Sequence, residues 1–277
     1  MLKFSSQQPD IARSTLYRGR QDRMQHQPRR RFGQNFLHER GVIDRIVDAV
    51  DPRPGQSIVE IGPGLGALTI PLLARSGSMR AIELDRDLFE PLRAATAAVG
   101  RLDLIESDVL QVDFRALAAG GMLRVVGNLP YNLSTPILFH LIAQRAAITD
   151  MHLMLQREVV ERMAADPGSK VYGRLSVMTQ FACRVLPLFV IGPGAFRPAP
   201  KVESMIVRLI PHAQPPFPTH PERFEAIVRS AFGQRRKTLR NSLEGLVDEA
   251  RFKRTDIDPG LRAEALSVEE FARLAAD

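Results

Sequence analysis

The chain has 277 residues, 44% of them hydrophobic and 25% charged, with a formal charge of +7 and a sequence pI of about 10.1. That composition excludes wholesale disorder, and the excess of Lys and Arg favours a polyanionic partner, because basic side chains neutralise phosphates and release their counterions. No apolar run approaches the roughly 20 residues of a membrane span and no apolar signal segment opens the chain; with a single cysteine, Cys183, there is no intrachain disulfide, and the expected location is the reducing cytoplasm, away from any membrane.

Residues 1–28 read as a basic N-terminal arm carrying Arg13, Arg18, Arg20 and Arg23 without apolar periodicity, and are expected to be disordered. Met24 offers an alternative translation start; mass spectrometry of the native N-terminus decides, a peptide containing Tyr17 refuting it. From Gly41 onward Val42, Ile43, Ile46, Val47 and Val50 fall at helical spacing, and after the Pro52-Pro54-Gly55 break the run Ser57-Ile58-Val59-Glu60-Ile61 predicts a buried strand. A glycine-rich turn and a helix through Leu72 and Leu73 follow. Further strands are expected near Met79–Leu84, Leu102–Glu106, Leu123–Val126 and His152–Leu155, each followed by a helical or irregular connection. Strands alternating with helices predict an α/β fold, a parallel sheet covered on both faces. Val185–Ile191 and Met205–Ile210 are expected as edge strands, and Cys183 as a small core residue on an apolar helix face. Prolines between Pro211 and Pro221 break the pattern, and beyond them Phe224, Ile227, Val228 and Ala231 open a series of short helices. The expected organisation is the arm at 1–28, the α/β domain at 29–212 and a C-terminal all-α domain at 213–277.

Glu60-Ile61-Gly62-Pro63-Gly64-Leu65-Gly66 lies at a strand-to-helix turn, where glycines let a ligand approach the backbone. The loop by itself is not specific. It is also what a tight turn without ligand looks like, and Gly62, Gly64 and Ala67 satisfy a nicotinamide-dinucleotide pattern with Glu83 placed to hold a ribose. Context separates these readings: Glu60 precedes the loop, Asp108 follows the third strand and Asn128-Leu129-Pro130-Tyr131 follows the fourth, so successive strand ends carry polar groups at the edge where open α/β sheets bind ligands. S-adenosylmethionine suits these residue types, its ribose hydroxyls donating to Glu83 and its adenine amino group to Asp108. Asp108 could equally serve as a turn cap.

The adenine amino group is a poor nucleophile, its lone pair being delocalised into the ring. Two acceptors aimed at its N–H bonds favour a nitrogen turning pyramidal as it attacks a methyl donor. The Asn128 side-chain oxygen and the Leu129 carbonyl can be those acceptors; Pro130 can fix the turn and Tyr131 can stack on an extracted base. An Asn before Leu-Pro can also do no more than end a strand.

With these elements in place, the sequence resembles the KsgA-type ribosomal RNA adenine dimethyltransferases, from about Arg29 to about Ser267. Phe32-Gly33-Gln34-Asn35-Phe36-Leu37 looks like that family's N-terminal cofactor motif, and Gly62, Gly64, Glu83, Asp108 and Asn128 fall on its other cofactor positions. Gln156-Arg157-Glu158, Tyr172 to Ser176 and Phe196 to Ser204 also resemble family stretches. The resemblance implies a Rossmann-like class I methyltransferase sheet with helices on both faces and a small C-terminal all-α domain. It implies S-adenosyl-L-methionine as cofactor, with Asn35 and Leu37 at its methionine end, and no metal. It also implies N6-dimethylation of two adjacent adenosines in a hairpin loop near the 3′ end of 16S rRNA, by a monomer acting on the 30S subunit or its precursor during late small-subunit biogenesis. Phe196 is the candidate second stacking face opposite Tyr131; its other reading is a loop anchor in the core.

Arg235, Arg236, Lys237 and Arg240 concentrate charge in what reads as a turn and a half of helix, the candidate RNA-binding surface; Arg157, Arg174 and Lys201 are further cations that the sequence does not orient. Competing readings are the macrolide-resistance methyltransferases acting on large-subunit RNA, a non-catalytic ribosome-assembly factor using the same basic surface, and a nicotinamide enzyme.

Overall fold

A computed structural model of the protein describes residues 35–234 and 236–276. The expected arm at 1–28, the first three residues of the Phe32–Leu37 motif and Arg235 lie outside the described residues. In chain order the elements are β1 (Phe36–Leu37), α1 (Arg40–Val50), β2 (Ser57–Ile61), α2 (Thr69–Ser76), β3 (Ser78–Glu83), α3 (Phe89–Thr96), β4 (Arg101–Glu106), α4 (Phe114–Ala118), β5 (Leu123–Asn128), α5 (Ser134–Ala143) and β6 (Ile148–Gln156). They continue with α6 (Arg157–Met163), α7 (Arg174–Ala182), β7 (Cys183–Ile191), β8 (Phe196–Arg197), β9 (Ser204–Pro211), α8 (Pro221–Gly233), α9 (Leu239–Ser242), α10 (Glu249–Thr255) and α11 (Val268–Ala275).

Helix α1 forms where the periodicity demands. Ile43, Ile46, Val47 and Val50 make its buried stripe, and the Glu39 carboxylate caps it by accepting from the N–H groups of Gly41 (3.0 Å) and Val42 (2.7 Å).

The main sheet has seven strands in the order β4-β3-β2-β5-β6-β9-β7. The first five run parallel, and β9 pairs antiparallel with both β6 and β7. Strand β9 thus inserts between two strands that precede it in sequence. Its alternation explains why it carries consecutive apolar residues: Ile206 packs with the core beneath α1 and α2, whereas Met205, Val207 and Leu209 pack with the opposite core beneath α5 and α6. A sheet buried on both faces selects apolar residues at successive positions, not every second one. At the sheet's far end Asp150 is held by two arginines, Arg124 through a two-toothed contact (2.8 and 3.0 Å) and Arg208 at 2.8 Å.

A third core holds the C-terminal helices. Phe224, Ile227, Val228 and Ala231 of α8 meet Phe271, Leu274 and Ala275 of α11, but Tyr172, Val177 and Phe181 belong to the same cluster, and Phe181 stacks on Phe224 with ring centroids 4.1 Å apart. Leu175 and Ala182 of the same α7 face the sheet. The chain therefore breaks near Pro211, while the packing runs across that break through α7. Cys183 is buried, as its small apolar character suggests, but it is the first residue of β7, not part of a helix face; burial pushes its thiol up to about 12.

Candidate active site

Sheet order puts the site where it is. The chain leaves β2 outward to β3 and β4, then returns to β5 on the other side of β2, so the crevice at the C-terminal ends of β2 and β5 is a topological switch point. A pocket opens there. Asn35, Leu37, Gly62, Gly64, Glu83 and Asn128 all line it, as do Leu129, Pro130 and Tyr131.

Gly62, Gly64 and Gly66 all have positive φ (66°, 56° and 85°). At Gly64 the need for glycine is double, since a β-carbon would also sit 3.1 Å from the ring of Phe36, which crosses the loop. Strand β1 brings Phe36 there by pairing with β8, Phe36 opposite Arg197 and Leu37 opposite Phe196.

Glu83, at the end of β3, is almost wholly buried, and burial raises its pKa. Its Oε1 accepts from the N–H groups of Leu84 and Asp85 (2.9 Å each) and its Oε2 from Gly64 (3.3 Å), bonds that offset part of that burial and fix the carboxylate. A carboxylate has about four acceptor positions, so Oε2 retains capacity for a ribose hydroxyl. Asn128 is fixed in the same manner. Its Nδ2 donates to the Asn35 carbonyl at 3.0 Å, and because a carbonyl only accepts, Oδ1 is assigned as the amide atom left for a ligand. The next peptide is also held, the Leu129 N–H donating to Met154 O at 3.2 Å while its side chain is buried. Tyr131 is half-buried; burial raises its pKa, and its hydroxyl shares a 2.6 Å hydrogen bond with Ser204.

Two expected residues sit differently. Asp108 lies between Ser107 and Val109, which line the pocket, but its own Oδ1 accepts from the Leu110 N–H at 3.0 Å as the cap of a short 3-10 turn. Phe196 is only 2% exposed and packs in the core with Leu37, Ile43 and Ile191, as a loop anchor would, because the β8 alternation turns Phe196 inward and Arg197 outward.

The basic run is also rearranged. Helix α8 stops at Gly233 and α9 starts at Leu239, so Arg236 and Lys237 are exposed on the turn between helices, where the Lys237 N–H donates to Gln234 O (3.0 Å). Arg240 is exposed but paired with Glu249 at 2.8 Å. Elsewhere on the surface Arg157 holds Glu161 and Glu203, and Arg174 holds Glu225.

Sequence reasoning assigned no specific contact to three lining groups. Phe36 lay inside a motif read only for its neighbours, and Leu84, half-exposed at the pocket edge, follows the acidic strand end. Glu60 is the third. It is completely buried, its Oε2 has no hydrogen-bond partner, and burial pushes it up to about 7; the Thr69 hydroxyl, nearby but not hydrogen-bonded, partly counters this and the Glu83 charge adds to it. Its signal was visible as a charged residue inside the apolar run of β2.

These groups fit S-adenosylmethionine. The orphaned Glu60 oxygen suits an ammonium, Glu83 suits ribose hydroxyls, and Leu84 with Val109 offers apolar surface for a purine. Among the described residues no cluster of three or more His, Cys, Asp or Glu could hold a metal ion, and no helix is long and apolar enough to cross a membrane.

Comparison with known proteins agrees. The family model "Ribosomal RNA adenine dimethylase" matches residues 25–276. The ribosomal RNA small subunit methyltransferase A of Chromohalobacter salexigens is 59% identical over 256 residues, covering 90% of this chain and 91% of that protein. Its counterpart in Xanthomonas campestris pv. campestris is 58% identical, covering 88% and 94%. Among solved structures, a dimethyladenosine transferase from Plasmodium falciparum shares the fold (TM-score 0.72, 24% identity, covering 86% of this chain and 95% of that one). The 23S rRNA methyltransferase ErmE superposes with TM-score 0.70 at 26% identity, covering 87% and 98%.

Proposed function

The chain belongs to the ribosomal RNA adenine dimethylase family, and from that premise we propose that it transfers methyl groups from S-adenosylmethionine to N6 of two adjacent adenosines in a hairpin loop near the 3′ end of 16S rRNA, during late small-subunit biogenesis. In this reading it works in the cytoplasm as a monomer on the 30S subunit or its precursor. The α/β domain at 29–212 carries the chemistry and the helical part at 213–277 carries much of the RNA contact.

One observation supports the chemistry most directly: the Asn128 amide is anchored through Nδ2 to Asn35, so its oxygen is the group left for a substrate amine. When bound, S-adenosylmethionine supplies an electrophilic methyl on a sulfonium. Asn35, Leu37, Gly62, Gly64 and Glu83 would hold it, and Asp108, whose Oδ1 caps Leu110, would offer its other carboxylate oxygen to the adenine. Asn128 Oδ1 accepts from one N6–H and the Leu129 carbonyl from the other, which favours the lone pair as it leaves ring conjugation. Tyr131 offers its ring to the extracted base, and Pro130 keeps the loop in shape. The extra proton on the methylated nitrogen passes to water, so no basic side chain is needed.

Arg235, Arg236, Lys237 and Arg240 are the proposed phosphate contacts, a role that for Arg240 means exchanging its Glu249 partner. Identity near 59% with small-subunit enzymes, against 26% with the 23S enzyme, supports the small subunit as substrate. The test is incubation with labelled S-adenosylmethionine and unmethylated small subunits, followed by mapping of the modified nucleotides. Label on two adjacent adenosines of 16S rRNA is expected; label confined to large-subunit RNA overturns the proposal.

A further inference from the structure

Tyr131 follows β5, yet its hydroxyl is tied 2.6 Å away to Ser204, the first residue of β9. Ser204 has no exposed surface, and its ladder partners are Gln156 on β6 and Ile191 on β7. It heads a strand whose next three residues, Met205, Ile206 and Val207, are buried and apolar. A hydroxyl at such a position is costly unless it is hydrogen-bonded, and among the described residues Tyr131 is the partner its side chain has.

We propose that Ser204 is a positioning residue for methyl transfer: it pins the Tyr131 hydroxyl so that the ring stays at the pocket mouth in the orientation that receives the target base. The ring has two rotatable bonds, and only one end of it is fixed by the backbone. The Ser134 hydroxyl donates to the Tyr131 carbonyl (3.1 Å) and so steadies the main chain, while Ser204 is what steadies the far end of the side chain. The anchor is also stiff, since β9 is hydrogen-bonded along both edges. Holding the ring before the base arrives spares part of the ordering that would otherwise fall in the catalytic step. Ser204 touches neither base nor donor, and acts through Tyr131.

This inference rests on the reading of Tyr131 as the base-contacting ring. It is tested by methylation kinetics on unmethylated small subunits with the full-length variants Ser204→Ala, Ser204→Thr, Tyr131→Phe, Tyr131→Ala and the double variant Ser204→Ala with Tyr131→Phe. Ser204→Ala is expected to lower kcat about fivefold, the size of one net hydrogen bond. KM for the subunit, S-adenosylmethionine affinity and Tm should stay near parental values. Tyr131→Phe should match its kcat while lowering Tm, because it leaves the buried Ser204 hydroxyl without its partner; the double variant should be no slower than either single, and Ser204→Thr, which keeps the hydroxyl, should recover activity. Parental kcat in Ser204→Ala alongside an inactive Tyr131→Ala overturns the role of Ser204 alone, as do single effects that multiply in the double variant. Parental kcat in Tyr131→Ala overturns the reading of Tyr131 itself.

Discussion

Two side chains, Asn128 and Glu60, decide what this pocket can do, and they are held in opposite ways. Asn128 is over-determined: its strand places it, its amide is tied to Asn35 and the following peptide to Met154, so its remaining oxygen is preorganised. Preorganised acceptors act without reorganising during the reaction, and losing one typically costs about 10²–10³ in rate. Asn128→Ala is accordingly expected to lower single-turnover methylation by about that factor, and a variant within a few-fold of parent would remove Asn128 from the chemistry. Glu60 is the under-determined one. With no hydrogen bond on Oε2 and no solvent, its carboxyl is pushed from 4.5 up to about 7. Between those pH values the folded protein binds more protons than the unfolded chain, so the cofactor-free protein loses stability as pH rises from the lower to the upper value and then levels off. Glu60→Gln removes the titration; its Tm advantage over the parent should therefore grow from pH 5 to pH 8. Parallel Tm curves for the two proteins would show that Glu60 is not the group responsible.

At the scale of elements, the turn between α8 and α9 is the segment most altered from its reading in the sequence. The run of cations reads as helix by proximity, yet the chain turns between Gly233 and Leu239, which leaves Arg236 and Lys237 projecting from a corner. Each phosphate neutralised contributes roughly 0.7–0.9 to the slope of log affinity against log salt. Arg236→Ala with Lys237→Ala should thus weaken RNA binding and flatten that slope by about 1.5, with S-adenosylmethionine affinity unchanged; an unaltered slope would place these side chains off the RNA. The strands were far more legible. Runs such as Ile58-Val59 and Met205-Ile206-Val207 are apolar at consecutive positions, a pattern that a sheet covered on both sides imposes and that survives without any knowledge of the neighbours. What could not be read was pairing order. Nothing local tells β9 to slip between β6 and β7, or brings Asn35 to Asn128, a contact that spans 93 positions. The burial of Phe196 was hidden for the same reason: it comes from pairing with Leu37, far away in the chain.

Seen whole, the molecule has three cores, and α7 bridges two of them. The glycine loop, Glu83 and Asn128 were legible because a ligand-binding edge repeats polar residues at strand ends. The sequence pattern changes near residue 212, yet packing does not stop there, since α7 contributes Leu175 and Ala182 to the sheet's core and Val177 and Phe181 to the helical one. Ending the chain at residue 212 would strip that second flank of Phe224 and its neighbours. The shortened protein is expected to melt well below the parent and to bind a hydrophobic dye, and residues 213–277 alone should show no cooperative transition. A fragment that unfolded cooperatively would mean that the helices need no support from α7.

That double allegiance of α7 has a consequence in time. Translation delivers the catalytic half first, with the Val177 and Phe181 flank bare until α8 and α11 have cleared the exit tunnel. A nascent copy paused after β9 is therefore a sticky one, exposed to capture by chaperones or by other unfinished chains until the helices that follow have emerged and closed over it.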